Sequence, residues 1–414
     1  MQRNQTLLII GKVWPEPASS AAGSRMMQLI RLFQNDGWEI TFVSAAAESE
    51  HAADLKSKGI GTASIQLNNS SFDRFIQKLT PGAVVFDRFM TEEQFGWRVA
   101  EYCPGALRIL DTEDLHCLRT ARQKAWKSGC EFKPELLLNE ETAKREIASI
   151  LRCDLSLIIS EAEMDLLKNL FGIGEELIYY MPFLLDIKKT EEHPAYDERS
   201  GFISIGNFLH EPNWNAVIWL KEEIWPLIRK NMPDAELNIY GSYPSQKVFQ
   251  LHQPDDGFFV KGRAEEALSV IRKARVLLAP LRFGAGLKGK LIEAMQCGTP
   301  SVTTSVGAEG MAGEMPWCGF IEDDAGSFAK AASRLCQNID IWNSSREKGS
   351  EILKRRFRRE SFEKSFLDRI KYLQSGLREH RMKNFIGSIL MHHTTASTKY
   401  LSKWIEEKNR PDRK

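Results

Sequence analysis

Between Arg282 and Glu293 the chain gathers three cations, three glycines and a carboxylate in a short span: Arg282, Gly284, Gly286, Lys288, Gly289, Lys290 and Glu293. Gly284 and Gly286 let the backbone turn and approach a ligand without Cβ clashes. Lys288 and Lys290 fall where a helix would begin, and the free N–H groups of a helix N-terminus attract anions. Glu293, one turn further, can accept hydrogen bonds from a pair of ribose or sugar hydroxyls. The set suits a ligand that joins a diphosphate to a sugar. The plainer alternative is a solvated basic turn followed by an ordinary glutamate.

Holding those groups requires a strand before the loop and a helix after it. The apolar run Val276–Ala279 predicts a buried strand stopped by Pro280. Leu291, Ile292, Ala294 and Met295 predict the helix, with Gly298 at its C-terminal cap. Thr299-Pro300 leads to a second strand over 301–304, and Gly307 opens another loop.

The run Pro280-Leu281-Arg282-x-Gly284-Ala285-Gly286-x-Lys288-x-Lys290-x-x-Glu293-Ala294-Met295-x-x-Gly298-Thr299-Pro300, followed by Gly307-x-Glu309-Gly310, resembles the donor-site signature of GT-B glycosyltransferases of the group 1, or family 4, type. The resemblance implies an α/β chain of two facing Rossmann-like domains with an interdomain cleft and a C-terminal crossover helix. It also implies a nucleotide-diphosphate sugar as co-substrate, no further cofactor, and retention at the anomeric carbon. Arg282 and Lys288 would stabilise the leaving diphosphate. Gly284, Gly286, Lys290, Glu293 and Glu309 would bind the donor, with Gly206 and Asn207 beside the diphosphate and Gly241, Gly262 and Arg263 near the base. Many relatives carry a second Glu seven positions before the one at Glu293; here that place holds Ala285. A catalytically idle sugar-nucleotide binding protein is one alternative this leaves open.

Gly284-x-Gly286-x-x-Gly289, with Glu309 about twenty residues on, also satisfies the dinucleotide fingerprint of an NAD-dependent oxidoreductase. That motif normally follows its strand at once, whereas Pro280-Leu281-Arg282-Phe283 intervenes here.

The N-terminal half repeats the strand, loop and helix pattern. Leu7–Ile10 predicts a strand ended by Gly11, and apolar spacing from Met26 to Phe33 predicts a helix stopped at Asn35-Asp36-Gly37. Glu39–Ser44, Ala83–Asp87, Leu107–Asp111 and residues 154–160 predict further strands. Ligands in open α/β sheets bind beyond the carboxyl ends of strands, which directs attention to Asp87 and to Asp111-Thr112-Glu113-Asp114-Leu115-His116. On the resemblance, Gly11, Gly23, Ser24 and Arg25 form a loop facing phosphate or acceptor, Asp111 and Asp114 lie on the acceptor side, and His116 orients a sugar hydroxyl. His116 and Arg25 read equally well as helix-start residues. Asp111 and Glu113 are a weak metal signal, and no metal is expected. Ser160-x-x-Glu163 reads as a capping box.

The charged, proline-broken stretch 186–200 is the clearest boundary. It divides an acceptor-side domain (1–185) from a donor domain (201–360), a crossover helix (361–383) and a basic tail (384–414). Strands are predicted from 202, 236 and 257. Trp219 and Trp225 read as core residues.

At 414 residues the chain suffices for two cores, and 43% hydrophobic with 27% charged residues describes a globular protein. Net charge of +1 argues against bulk polyanion binding, so no nucleic acid is expected. Residues 351–414 nevertheless hold 17 Lys or Arg against 8 Asp or Glu, a surplus of 9. The run Lys354–Arg359 is therefore either a solvated face or a contact for anionic lipid, as in enzymes acting on lipid-linked sugars. Seven scattered cysteines without a Cys-x-x-Cys fit reduced thiols. With no long apolar segment, the protein is expected to be cytoplasmic, without membrane spans yet able to sit at a membrane surface.

Overall fold

The computed structural model describes residues 5–187 and 193–392, together with Tyr400 and Trp404. Two parallel sheets organise them. The first orders its strands β3-β2-β1-β4-β5-β6-β7, where β1 is Thr6–Gly11, β2 Glu39–Ser44, β3 Gly61–Ser64, β4 Ala83–Asp87, β5 Leu107–Asp111, β6 Leu155–Ile158 and β7 Ile178–Tyr180. The second orders its strands β10-β9-β8-β11-β12-β13, from β8 Ser200–Ile205, β9 Leu237–Tyr240, β10 Phe258–Gly262, β11 Ala274–Ala279, β12 Ser301–Thr303 and β13 Gly319–Ile321. In each sheet the order reverses beside the first strand, between β1 and β4 and between β8 and β11. Such switch points open the crevice in which α/β sheets bind ligands.

The central strands are continuous apolar runs because helices cover both faces. Leu7, Leu8, Ile9 and Ile10 are all inaccessible to solvent, as are Val276, Leu277 and Leu278. The first helix, Ala21–Asn35, is capped by Ser20, whose hydroxyl accepts from the Gly23 N–H. It ends at the predicted turn, with Gly37 at φ 80°. The helix Gly289–Gln296 stops where Gly298 turns left-handed at φ 60°, its N–H and that of Thr299 closing onto Met295 and Ala294 carbonyls.

Predicted strand limits hold within about two residues throughout. Elements beyond those expected are β3, β13 and the helices Ser71–Leu79 and Phe89–Tyr102. One expectation is corrected. Ser160 stands at the N-cap of helix Glu161–Asn169, but its side chain makes no capping bond and Glu163 bonds elsewhere.

Residues 188–192 of the expected linker lie outside the described residues. Arg199, just before β8, is already core, donating to the Thr299 hydroxyl and the Cys297 carbonyl. The chain crosses back after the helix Ile339–Arg356. Leu185 pairs with Arg358, and Arg359 holds Asp186 at 2.6 Å. The helix Glu363–Ser375 then buries Phe366, Leu367, Ile370 and Leu373 against Leu7, Ile9 and Phe33 of the first half. Phe366 packs edge-on to Phe33 at 5.7 Å between ring centroids. Two of the five cations in the basic run thereby tie distant parts of the fold together, Arg356 pairing with Glu161 and Arg359 with Asp186. His393 and the rest of the tail, save Tyr400 and Trp404, lie outside the described residues.

Candidate active site

The two switch points face one another across a cavity of about 580 Å³. On the second-domain side the wall is backbone brought close by glycine. A Cβ at Gly206 would meet Asn213 and Lys290 Nζ at 2.8 Å, and one at Gly241 would collide with the Gly206 carbonyl. Gly286, at φ 63°, sits against the first domain, where a Cβ would stand 2.8 Å from that of Asp114. Lys288 occupies the N-cap of helix Gly289–Gln296 and folds back on its own loop. Its Nζ donates to the carbonyls of Gly286 (2.6 Å) and Ala285 (3.1 Å). Lys290 donates to Asn213 Oδ1 at 2.8 Å. Burial pulls both lysines down to about 8 and lifts Glu293 above its usual range.

The opposite wall is made of side chains at the ends of β1, β4 and β5. Arg88 (φ 70°) and Glu113 (φ 63°) both hold left-handed backbone conformations that cost an ordinary residue energy. The Arg88 N–H donates to the Asp111 carbonyl at 2.8 Å, and the Lys12 N–H to Asp87 Oδ2 at 2.9 Å. Burial, with Asp111 nearby, pushes Glu113 well above the carboxylate range. Burial acts against ionisation of Asp114 too, but Arg119 and His116 bring it down to about 2. His116 lies with Nε2 3.4 Å from Asp114 Oδ1, yet burial pulls it down to about 3. It is a neutral imidazole at ordinary pH, able to donate or accept a hydrogen bond. Its backbone N–H and that of Cys117 are received by the Glu146 carboxylate, which fixes the helix start behind it.

Side chains also tie the walls together. The Glu163 carboxylate, fully buried, accepts at a single oxygen from Leu115 N–H of one domain and Gly286 N–H of the other, each at 2.9 Å. Arg122 grips Glu309 through two bonds of 2.6 and 2.8 Å and the Gly284 carbonyl at 2.9 Å. Tyr243 donates to Glu16 at 2.8 Å.

Among the expected site residues, His116, Asp114, Gly206, Asn207, Gly241, Gly284, Gly286, Lys288, Lys290 and Glu293 line this cavity. Others stand off it. Arg282 bonds Asn215 at 2.8 Å, with its guanidinium 4.6 Å from the Trp126 ring centroid and 5.1 Å from that of Trp219. Its guanidinium lies between two aromatic faces, off the cavity lining. Glu309 is engaged by Arg122. Gly262 (φ 74°) gives its carbonyl to the Gly241 N–H and so completes the sheet end, while Arg263 follows it outside the cavity lining. Arg25 and Asp111 form a buried ion pair at 2.9 Å, and Arg25 also holds the Met181 carbonyl at 2.6 Å. Gly11 and Gly23 are required by packing against Phe42 and the Glu16 backbone, and Ser24 donates to the Pro17 carbonyl. These five support the cleft from behind instead of lining it.

Sequence reasoning passed over Lys12, Arg88, Arg119, His210 and Asn213, all of which line the cavity. Lys12 and Arg88 stand just beyond strand ends, but only the strand order brings them together. Arg119 and Asn213 lie on helix turns with no distinguishing spacing.

Residues 199–338 match the family described as Glycosyl transferases group 1. The matched stretch falls on the second domain. The described fold of the whole chain agrees with glycosyltransferase structures of the two-domain GT-B type. Sucrose-phosphate synthase from Thermosynechococcus elongatus superposes with a TM-score of 0.66 at 16% identity, covering 90% of this chain and all of that one. Anabaena HepE, solved in complex with UDP and glucose, gives 0.67 at 12% identity over 88% of this chain and 99% of its own. At such identities the likeness speaks for the fold. A curated relative, an uncharacterized 44.6 kDa protein in the cps region of Klebsiella pneumoniae, is 25% identical over 194 residues. That alignment spans 45% of this chain and 48% of the relative. No helix among the described residues is long and apolar enough to cross a membrane.

Proposed function

We propose that this glycosyltransferase moves a sugar from a nucleoside-diphosphate sugar to a hydroxyl of an acceptor bound against the first domain. The observation that carries the reading is the juxtaposition of the glycine loop, Lys288 and Lys290 with a wall bearing His116 and Asp114, across one cavity between two switch points. The diphosphate would lie along Gly284–Lys290. Lys288 would leave the Ala285 and Gly286 carbonyls for the phosphate oxygens, regaining full charge as it does so. Lys290 beside Gly206 would take a second oxygen, and Glu293 would accept from ribose or sugar hydroxyls.

Charge that develops on the leaving diphosphate is then met by fixed cations in a water-poor site, where each such contact contributes most in the transition state. Two lysines placed this way do the work of neutralisation without a metal. His116, neutral and beside Asp114, would hold a sugar or acceptor hydroxyl in line. Retention at the anomeric carbon belongs to the same reading, on the strength of the sequence signature. Among the described residues, Glu309 is committed to Arg122, which disfavours the dinucleotide alternative because the acid needed for a ribose is occupied.

The test is donor turnover. A panel of nucleotide sugars should include one that the protein hydrolyses slowly without acceptor and consumes faster with one, and NMR of the product reads the anomeric configuration. Binding of a nucleotide sugar with no turnover under any condition would favour an idle binding protein instead.

A further inference from the structure

The cations of the cavity fall into two groups. Lys288 and Lys290 belong to the glycine loop and its helix. Lys12, Arg88 and Arg119 belong to the other wall, and nothing in the donor reading uses them. Lys12 follows β1 and Arg88 follows β4, so they flank the first sheet's switch point, while Arg119 reaches the same wall from the helix His116–Lys127.

Three observations show that this second group is a built feature. Arg88 is held at φ 70° on the cavity wall, a conformation that costs energy in any residue other than glycine and that aims the side chain out of the sheet end. Lys12 Nζ donates to a thioether, Met90 Sδ, at 3.3 Å and to no carboxylate among the described residues. Burial first, and then Arg88 and Arg119 against the opposing pull of Asp87, depress the Lys12 pKa. The nearby acids offset part of this. Asp114 is ionised and paired with Arg119, and Arg88, 3.4 Å from Asp87, has its charge favoured by Asp87, Glu113, Asp114 and Asp111 together, although burial pushes Asp87 and Glu113 upward. The imidazoles of His116 and His210 are neutral, drawn down to about 3 and about 4 chiefly by desolvation in the cleft. His210 feels Arg119 on one side and Lys288 and Lys290 on the other, which sets it between the two groups.

We propose that Lys12, Arg88 and Arg119 form a second anion subsite, distinct from the diphosphate loop, and that the acceptor carries a phosphate or diphosphate group bound there. The inference rests on the glycosyl-transfer reading and names its acceptor class. A single diphosphate needs one cluster; two clusters in one cavity accommodate an anionic donor and an anionic acceptor at once. Lys12, bonded to no carboxylate among the described residues, and two guanidiniums on the same wall offer a phosphate ester charge-assisted donors. A neutral glycan would leave the lysine uncompensated.

The experiment is a calorimetric titration in two stages. Wild-type protein is first titrated with UDP, GDP, dTDP and ADP. Protein saturated with the nucleotide that binds is then titrated with inorganic phosphate, glucose 1-phosphate and geranyl diphosphate. We expect one equivalent of a phosphate probe to bind beside the nucleotide. Lys12→Ala and Arg88→Gly, the latter keeping the left-handed turn while removing the cation, should each weaken the probe by about tenfold or more. Nucleotide affinity should stay within about threefold in both variants. Preference for geranyl diphosphate assigns a lipid-linked acceptor, and preference for glucose 1-phosphate a soluble one. Nucleotide binding without a second anion overturns this inference alone, as does an equal loss of nucleotide and probe in the variants or a probe that ignores both substitutions. Absence of any nucleotide binding overturns the glycosyl-transfer reading and this inference with it.

Discussion

The two walls of the cleft come from the same sheet plan but present charge by different means. On the second-domain wall, glycines at 206, 241, 284 and 286 remove side chains so that backbone and two lysines can close on a ligand. On the first-domain wall, groups from separate strand ends are held by strain and by mutual bonds: Arg88 and Glu113 in left-handed conformations, Asp114 between Arg119 and His116. One wall is a contiguous loop shaped for a diphosphate. The other is assembled from distant parts of the chain and depends on buried support beneath it. That difference teaches where substitutions should harm folding and where they should harm chemistry.

The sharpest separation is expected at Arg25 and Lys288. Arg25 was a candidate for the ligand loop, but it is buried in an ion pair with Asp111 beneath the first wall. Arg25→Ala leaves that carboxylate uncompensated and should cost about 3–5 kcal/mol of stability by denaturant unfolding. Lys288→Ala should lower kcat/KM for the donor about a hundredfold, or about 3 kcal/mol, with a much smaller change in unfolding midpoint. If Lys288→Ala turned over normally, or Arg25→Ala proved as stable as wild type, the division between support and chemistry would fail.

Glu163 tests the join between the walls. Removing its carboxylate strands the N–H groups of Leu115 and Gly286, so Glu163→Ala should destabilise the protein by about 2 kcal/mol. Burial, then Asp114, pushes Glu163 up to about 8 from its ordinary 4.5. The folded state therefore keeps a proton that the unfolded chain releases, and this contribution to stability is full below pH 4.5 and lost as pH rises through 8. Denaturation midpoints of Glu163→Gln should accordingly vary less with pH across that window than those of wild type. An unchanged slope would remove Glu163 from the account.

A smaller effect is expected for the nucleotide itself. Lys288 and Lys290, drawn down to about 8 by burial, must be protonated to hold a diphosphate. Nucleoside diphosphate affinity should be steady below pH 8 and decline above it, whereas lysines with ordinary values would keep it flat past pH 9. Calorimetry across pH 7 to 10 reads the difference.

Much of this was legible in sequence for a physical reason. The second-domain loop is local, so Gly284, Gly286, Lys288, Lys290 and Glu293 appear at fixed spacing in one stretch, and β11 before them ends in the apolar run Val276–Ala279. The apolar runs at β1, β4 and β5 disclosed the first sheet in the same way. Lys12, Arg88 and Arg119 were missed because their meeting depends on strand order, which adjacent residues do not encode. Glu163 was misread because a Ser-x-x-Glu spacing serves helix capping equally well; the N–H groups of Leu115 and, from the other domain, Gly286 redirect its carboxylate. Arg282 shares the loop with the lysines, and nothing local reveals that Trp126 and Trp219 draw its guanidinium aside.

The central claim is that the glycine and lysine loop of the second domain grips a nucleoside diphosphate. It is tested most directly by titrating wild type and Lys288→Ala with UDP, GDP, dTDP and ADP, with NADH alongside. The account predicts that at least one nucleoside diphosphate binds wild type at one equivalent and is weakened about tenfold or more by the substitution, while NADH gives no heat. Tight NADH binding with no response to any nucleoside diphosphate would contradict it.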